Sequence, residues 1–136
     1  HRDKLPLELR KRAVHFFAEC ERVHAGVAAW RHGDLEAFGQ LVRESGRSSI
    51  ENYQCGSSEL TALYGILCQC EGVHGARFSG AGFRGSCVGF SDPSQREQLR
   101  ATVAEQYRAA HPGPAERMEL HFCASAERAR LVHMVG

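Results

Sequence analysis

The chain lacks a charge surplus, a long apolar run and any paired metal-ligand motif. Seventeen basic residues meet 16 acidic ones, for a formal net charge of +1. Proteins that grip nucleic-acid phosphates carry a basic surplus or stripe, so no nucleic-acid partner is expected. No apolar stretch approaches the roughly 20 residues needed to cross a bilayer, so no membrane association is expected. Arg2, Asp3, Lys4, Glu8 and Arg10 interrupt the opening residues, which argues against a signal peptide. The chain opens at His1 rather than at methionine, as a fragment would. Metal ligands are also poorly arranged. Cys68-Gln69-Cys70 has no second pair to answer it, the eight histidines are scattered, and no H-E-x-x-H occurs, so no metal site is expected. Proline is scarce. Its four copies, at positions 6, 93, 112 and 114, leave long stretches free of the residue that breaks helices.

What is present fits one domain. A chain of 136 residues buries about two-thirds of its unfolded surface, enough for a core without cross-links. The six cysteines (20, 55, 68, 70, 87 and 123) stand mostly among apolar neighbours. They are expected to be reduced and mostly buried, in a cytoplasmic protein.

The apolar period predicts helices first. Leu9, Ala13, Phe16, Cys20, Val23, Val27 and Trp30 step by three and four over residues 6–31, one apolar face of a helix, with the charged residues solvated opposite. Asp34 is placed to cap a second helix over 35–45, with Leu35, Phe38, Leu41 and Val42 turned inward and Gly46 ending it. The pair forms an αα-hairpin. After a polar, turn-prone stretch, Ser57 or Ser58 caps a third helix at 59–70, whose inner face is Leu60, Leu63, Tyr64 and Leu67. The period then changes to short strands at 76–79 and 86–91. Asp92-Pro93-Ser94 opens a helix to about residue 111 that buries Leu99, Val103 and Tyr107, and two further strands are expected at 118–123 and 130–135. Segregated helices and strands predict an α+β fold, a mainly antiparallel four-stranded sheet with helices on one face.

Gly80-Ala81-Gly82-Phe83-Arg84-Gly85 spells G-x-G-x-x-G, the dinucleotide fingerprint. The fingerprint requires a helix after the glycines, to aim free amides at pyrophosphate. Here Ser86-Cys87-Val88-Gly89-Phe90 reads as a strand, and no acidic residue ends a second strand about 20 positions on, so that reading fails. A strand, glycine bend and strand remain. Such a bend can bring backbone amides close to an anion, or can be a plain bulged hairpin. An RNA-recognition strand is excluded by Ser86 and Cys87, which stand where stacking aromatics would begin.

Four stretches taken in order go further. "RAVHFFAECERV" carries an R-A-x-H run; "GDLEAFGQLVRES" fits G-D-x-x-x-F-G-x-L-x-x-x-S; "YQCGSSEL" fits Y-x-x-x-x-x-E-L; and "GARFSGAGFRG" fits G-x-R-x-S/T-G-x-G-F-x-G, continued by "SCV". With these the chain resembles, over nearly its whole length, the C-terminal part of sugar-1-kinases of the GHMP superfamily, the group of galactokinase, galacturonokinase and L-arabinokinase. "SSIENYQCG" and the loop look closest to the galacturonokinase and arabinokinase branch. Galactokinases typically have glycine at the positions of Ala81 and Arg84 and cysteine at that of Ser86.

The resemblance implies a ferredoxin-like C-terminal domain spanning 1–136. It implies an N-terminal domain of the same polypeptide as partner, a monosaccharide substrate, and ATP with Mg2+ in the complete enzyme. The family's P-x-x-x-G-L-S/G-S-S loop does not occur here, so the catalytic residues are expected elsewhere and the fragment alone is not expected to be active. The loop residues Ser79, Gly80, Ala81, Gly82, Phe83, Arg84 and Gly85 are implied to lie against phosphate and sugar. Phe83 serves as an apolar anchor, and Arg84 is a candidate for a phosphate or uronate oxygen. Ser48, Tyr53 and Arg77 are second candidates for the cleft. The alternative is a stand-alone, non-catalytic ligand-binding or regulatory module that retains the fold.

Overall fold

The structure is a computed structural model, and it describes residues 4–125. Four long helices and a β-hairpin account for most of it. The described elements in chain order are α1 (Leu7–Arg31), α2 (Leu35–Ser48), a π-turn (Ser49–Tyr53), α3 (Ser58–Gln69), β1 (Val73–Ser79), β2 (Ser86–Ser91), a 3-10 turn (Pro93–Gln95), α4 (Arg96–Ala110) and a single helical turn, α5 (Pro112–Ala115).

Local chemistry sets most boundaries. Asp34 accepts a hydrogen bond from the Ala37 amide at 2.9 Å and so caps α2, after a turn in which Gly33 has φ +70°. Ser57 caps α3 by accepting from the Leu60 amide at 3.3 Å. Asp92 accepts from the Ser94 amide at 2.8 Å and opens the turn that leads into α4. Gly46 does not end α2. The helix runs on to Ser48 and widens into the π-turn, because Gly46 serves packing instead: a Cβ there would strike the Tyr64 ring and lie 2.9 Å from the Ala76 carbonyl oxygen.

β1 and β2 pair antiparallel, with Phe78 opposite Cys87, Arg77 opposite Val88 and Ser79 opposite Ser86. Partners directly opposite share a face. Phe78 and Cys87 therefore turn together to α3, where Phe78, Leu60 and Cys55 form the buried cluster, with Ile50, Leu63 and Tyr64 packed on it. Leu99, Val103 and Tyr107 of α4 are buried, as their spacing predicted.

α2 lies on β1 almost without side chains between them. A Cβ on Gly75 would land on the Gly39 carbonyl oxygen, and one on Gly39 would strike His74. Arg43, one turn along α2, then ties the neighbouring elements together. Its guanidinium donates to the Cys68 carbonyl at 2.5 Å and the Val73 carbonyl at 2.8 Å, while its own carbonyl accepts from the Tyr64 hydroxyl at 2.7 Å. Cys68 belongs to the last turn of α3, whose carbonyls have no intrahelical partner.

Two expectations change. The fold is α+β, but among the described residues the sheet has two strands, not four. Among the described residues, 118–123 pair with neither β1 nor β2. The guanidiniums of Arg96 and Arg100 lie over the Phe122 ring at 5.2 and 5.1 Å, and Arg100 donates to the Leu120 carbonyl at 3.3 Å. Cation–π contacts to α4 thus hold the segment that alternation assigned to a ladder. The expected strand at 130–135 lies outside the described residues. The apolar stripe of α1 is only partly turned inward. Leu9, Phe16, Val23, Val27 and Trp30 remain exposed; Trp30 nonetheless packs edge-on against Phe38 at 5.0 Å, and the polar His15 and Glu19 also face α2, through Ser48 and Ser45.

The α2–β1 contact generates a paired test. Gly75→Ala is expected to lower unfolding stability by about 1–3 kcal/mol through backbone displacement. Gly65→Ala, within α3 and with nothing in reach of its Cβ, is expected to be neutral or stabilising by up to about 1 kcal/mol. Denaturant titration of the two variants measures both.

Candidate functional site

Residues 80–85 form a bend between β1 and β2 with three glycines in the left-handed half of backbone space: Gly80 at φ +95°, Gly82 at +80° and Gly85 at +109°. Gly82 is the buried one. Its carbonyl accepts from the Ser57 amide at 2.8 Å, and a Cβ there would run into the Phe78 ring. The loop is therefore pinned at its centre to the start of α3, while Gly80, Ala81, Arg84 and Gly85 stay exposed on either side. Among the described residues none of the amides of 80–85 donates a turn or cap hydrogen bond. Phe83 is 64% exposed, so it does not anchor the loop; Gly82 does. Arg84 is exposed and makes no ion pair among the described residues. Ser79, exposed at the end of β1, is opposite Ser86.

Ser48 and Tyr53 are brought together by the π-turn. The buried Ser48 hydroxyl lies 3.0 Å from His15 Nδ1 on α1 and accepts from Asn52 Nδ2 at 3.1 Å. The Tyr53 ring tilts against the His15 ring at 5.2 Å and is 49% exposed. Gln54 then reverses the chain with φ +63°, and the Cys55 amide donates back to the Ser49 carbonyl at 3.1 Å. Two residues later the chain reaches Ser57 and its bond to the glycine loop. The π-turn and its polar cluster thus set the position from which the loop is held. π-turns inside helices are frequent at functional sites.

Arg77 is engaged elsewhere. It lies on the sheet face opposite Phe78, with Nη1 3.7 Å from Glu19 Oε2 on α1. Glu19 also accepts from Ser45 at 2.7 Å and from Arg22 Nε at 2.6 Å. Burial alone would raise the Glu19 carboxyl. The hydrogen bonds from Ser45 and Arg22 and the charges of Arg22 and Arg77 together outweigh it and hold the carboxyl below its ordinary 4.5.

All six cysteines are free thiols. Cys55 is buried and Cys68, Cys70 and Cys87 are half-buried, while Cys20 and Cys123 are exposed; the cover expected of most of the thiols is complete only at Cys55. Burial first, and Cys68 second, push the Cys87 thiol up to about 11, which leaves it protonated and unreactive near neutrality. Among the described residues no group of three His, Cys, Asp or Glu side chains could hold a metal ion. No helix there is long and apolar enough to cross a membrane.

The sequence reading missed His15, Asn52, Glu19, Ser45 and Arg43. Glu19 and Arg22 are spaced i, i+3, a local signal that was present. The others act across 20 or more residues, or within an irregular turn, where spacing carries no information.

The site has the form of a glycine hairpin loop held against a helix start in an α+β domain. The family described as "GHMP kinases C terminal" matches residues 26–109, and the chain belongs to that family. Among individual proteins it is similar to the galacturonokinase of Arabidopsis thaliana, 44% identical over 136 residues, covering 97% of this chain and 32% of that protein. It is 32% identical to the galactokinase of Roseiflexus sp. over 127 residues, covering 93% of this chain and 32% of the relative. The solved structure of Lactococcus lactis galactokinase complexed with galactose superposes with a TM-score of 0.74 at 30% identity, covering 77% of this chain and 27% of that one. The chain thus spans about a third of the length of these curated relatives.

The Glu19 cluster generates a pH prediction. A carboxyl lowered on folding contributes stability above its unfolded-state value, and that contribution is lost as pH falls through the folded-state value. Stability should therefore drop as pH falls below about 4.5. Glu19→Gln should be less stable near neutrality and should show a shallower acid loss than the parent. Thermal melts between pH 3 and 7 measure the difference.

Proposed function

We propose that this chain is the C-terminal domain of an ATP-dependent sugar-1-kinase that phosphorylates the anomeric hydroxyl of a monosaccharide, and that the sugar is a hexuronate of the galacturonate type. The observation that carries this reading is the 44% identity to a galacturonokinase along essentially the whole chain. The loop supports the branch, with alanine, arginine and serine at 81, 84 and 86.

ATP and Mg2+ would supply the phosphoryl group and offset its charge in the complete enzyme. The residues present fit the phosphate part of that cofactor: an exposed bend, three glycines without Cβ, and amides not spent on turn bonds among the described residues. Those described do not supply a metal cluster. In this reading the ligands for Mg2+ and the base for the sugar hydroxyl are supplied by the N-terminal kinase domain of the same polypeptide, in the cytoplasm.

In this reading Gly80, Ala81 and Gly85 turn backbone amides to phosphate oxygens. Phosphoryl transfer is mostly positioning and stabilisation of charge on the transferring group, which fixed amides provide. Gly82 does not meet ligand; it locks the bend to Ser57, so the amides keep their aim without reorganising. Phe83, exposed beside them, shields the closed site from water. Arg84 holds the uronate carboxylate with paired hydrogen bonds. Ser79 borders the same opening, and Ser48 and Tyr53 act on the loop through the π-turn.

A coupled ADP-release assay on the complete polypeptide against galactose, galacturonate, glucuronate and arabinose tests the activity. Turnover of none of them overturns the kinase reading. Arg84→Gly in that polypeptide should raise KM for galacturonate by about fivefold or more while leaving KM for galactose unchanged. Equal KM values for galacturonate before and after the change exclude the carboxylate role. Gly82→Ala should lower kcat about tenfold or more, because the loop must leave its Phe78 seat.

A further inference from the structure

α1 meets the body of the domain along one flank and leaves the next flank open. The packed flank carries His15 and Glu19, which reach Ser48 and Ser45, Arg22, which donates to Glu19, and Gly26, whose missing Cβ admits the Phe38 ring. About a quarter-turn round the helix lie Leu9, Phe16, Val23, Val27 and Trp30, between 46% and 62% exposed, with Cys20 exposed among them; only the Trp30 end of this stripe turns in, edge-on to Phe38 at 5.0 Å. At a 1.5 Å rise per residue this stripe is about 30 Å long. A groove of about 490 Å³ runs beside it, lined by Val23, Val27, Trp30, Phe38, Leu41 and Val42, with Glu19 and Arg77 at its border.

A monomeric protein rarely leaves so large an apolar patch in water. A helix packed along one flank with an apolar stripe open along the next has a side left bare. We infer that the bare side is covered by the rest of the same polypeptide, which lays an apolar helix face along Leu9–Trp30 and places a side chain in the groove. This rests on reading the chain as one part of a sugar kinase.

The length of the relatives selects that occupant. They are about three times as long as this chain, so in this reading a covering body of sufficient size belongs to the same protein.

Cys20 is a built-in probe. The complete polypeptide is treated natively with a maleimide, and modification of Cys20 is followed by peptide mass mapping. Expected is a rate at least about a hundredfold below that of the same protein unfolded in guanidinium, as for a thiol reached only through opening. A native rate within about tenfold of the unfolded rate overturns the inference. Protection that disappears on dilution, together with a dimer mass by light scattering, also overturns it, since a second copy is then the cover. A second reading uses Phe16→Ser in the complete polypeptide. A Tm lowered by about 5 °C or more supports the inference, and an unchanged Tm overturns it. Neither readout needs kinase activity. A protected Cys20 in a protein that phosphorylates no sugar defeats the proposed function alone; a freely reactive Cys20 in an active kinase defeats this inference alone.

Discussion

The near-contact of backbone on backbone between α2 and β1 is the constraint on which the rest depends. Gly39 and Gly75 remove the side chains that normally keep a helix and a strand apart, and Gly46 repeats the device two turns along, under Tyr64 and Ala76. Because α2 sits so close, the guanidinium of Arg43 reaches both the end of α3 and the start of β1. Three elements are thereby fixed by one side chain whose two terminal nitrogens donate to carbonyls. Charge-assisted hydrogen bonds of this kind are stronger than neutral ones, and their geometry is narrow.

From that frame the candidate site is built as a chain of attachments. α2 passes Gly46, runs to Ser48 and continues into the π-turn. The π-turn is braced by the Ser48 hydroxyl between His15 and Asn52. Gln54 turns the backbone, and Ser57 grips Gly82. The exposed glycines on either side are thus carried by a rigid support and retain their own freedom, an arrangement suited to holding an anion without collapsing onto the protein.

Much of this was legible in residue order, and the remainder escaped it for physical reasons. The caps at Asp34, Ser57 and Asp92 are local hydrogen bonds, so a few adjacent residues announce them. The faces of α3 and α4 are marked by Leu60, Leu63, Leu99 and Val103, because one side of each helix is packed in the way a 3.6-residue period implies. The hairpin and its glycine bend were legible for the same reason. α1 misled because periodicity shows that a helix has an apolar side, not which neighbour that side meets. Residues 118–123 misled because Phe122 finds two arginines on α4, a tertiary contact that no alternation encodes. Arg77 was read with the loop it adjoins, yet its charge is committed across the sheet to Glu19.

The π-turn gives the stretch from Ser49 to Gly56 a fixed residue count. One extra residue is what separates a π-turn from an ordinary helical turn, and each residue added or removed swings the downstream chain by about 100°. Deleting one position here would mend the helix locally while rotating Ser57 off the Gly82 carbonyl. Surface segments usually accept insertions and deletions. This one, although largely at the surface, would pass on every change in length as a turn of the glycine hairpin, and tolerance to indels should end where it begins.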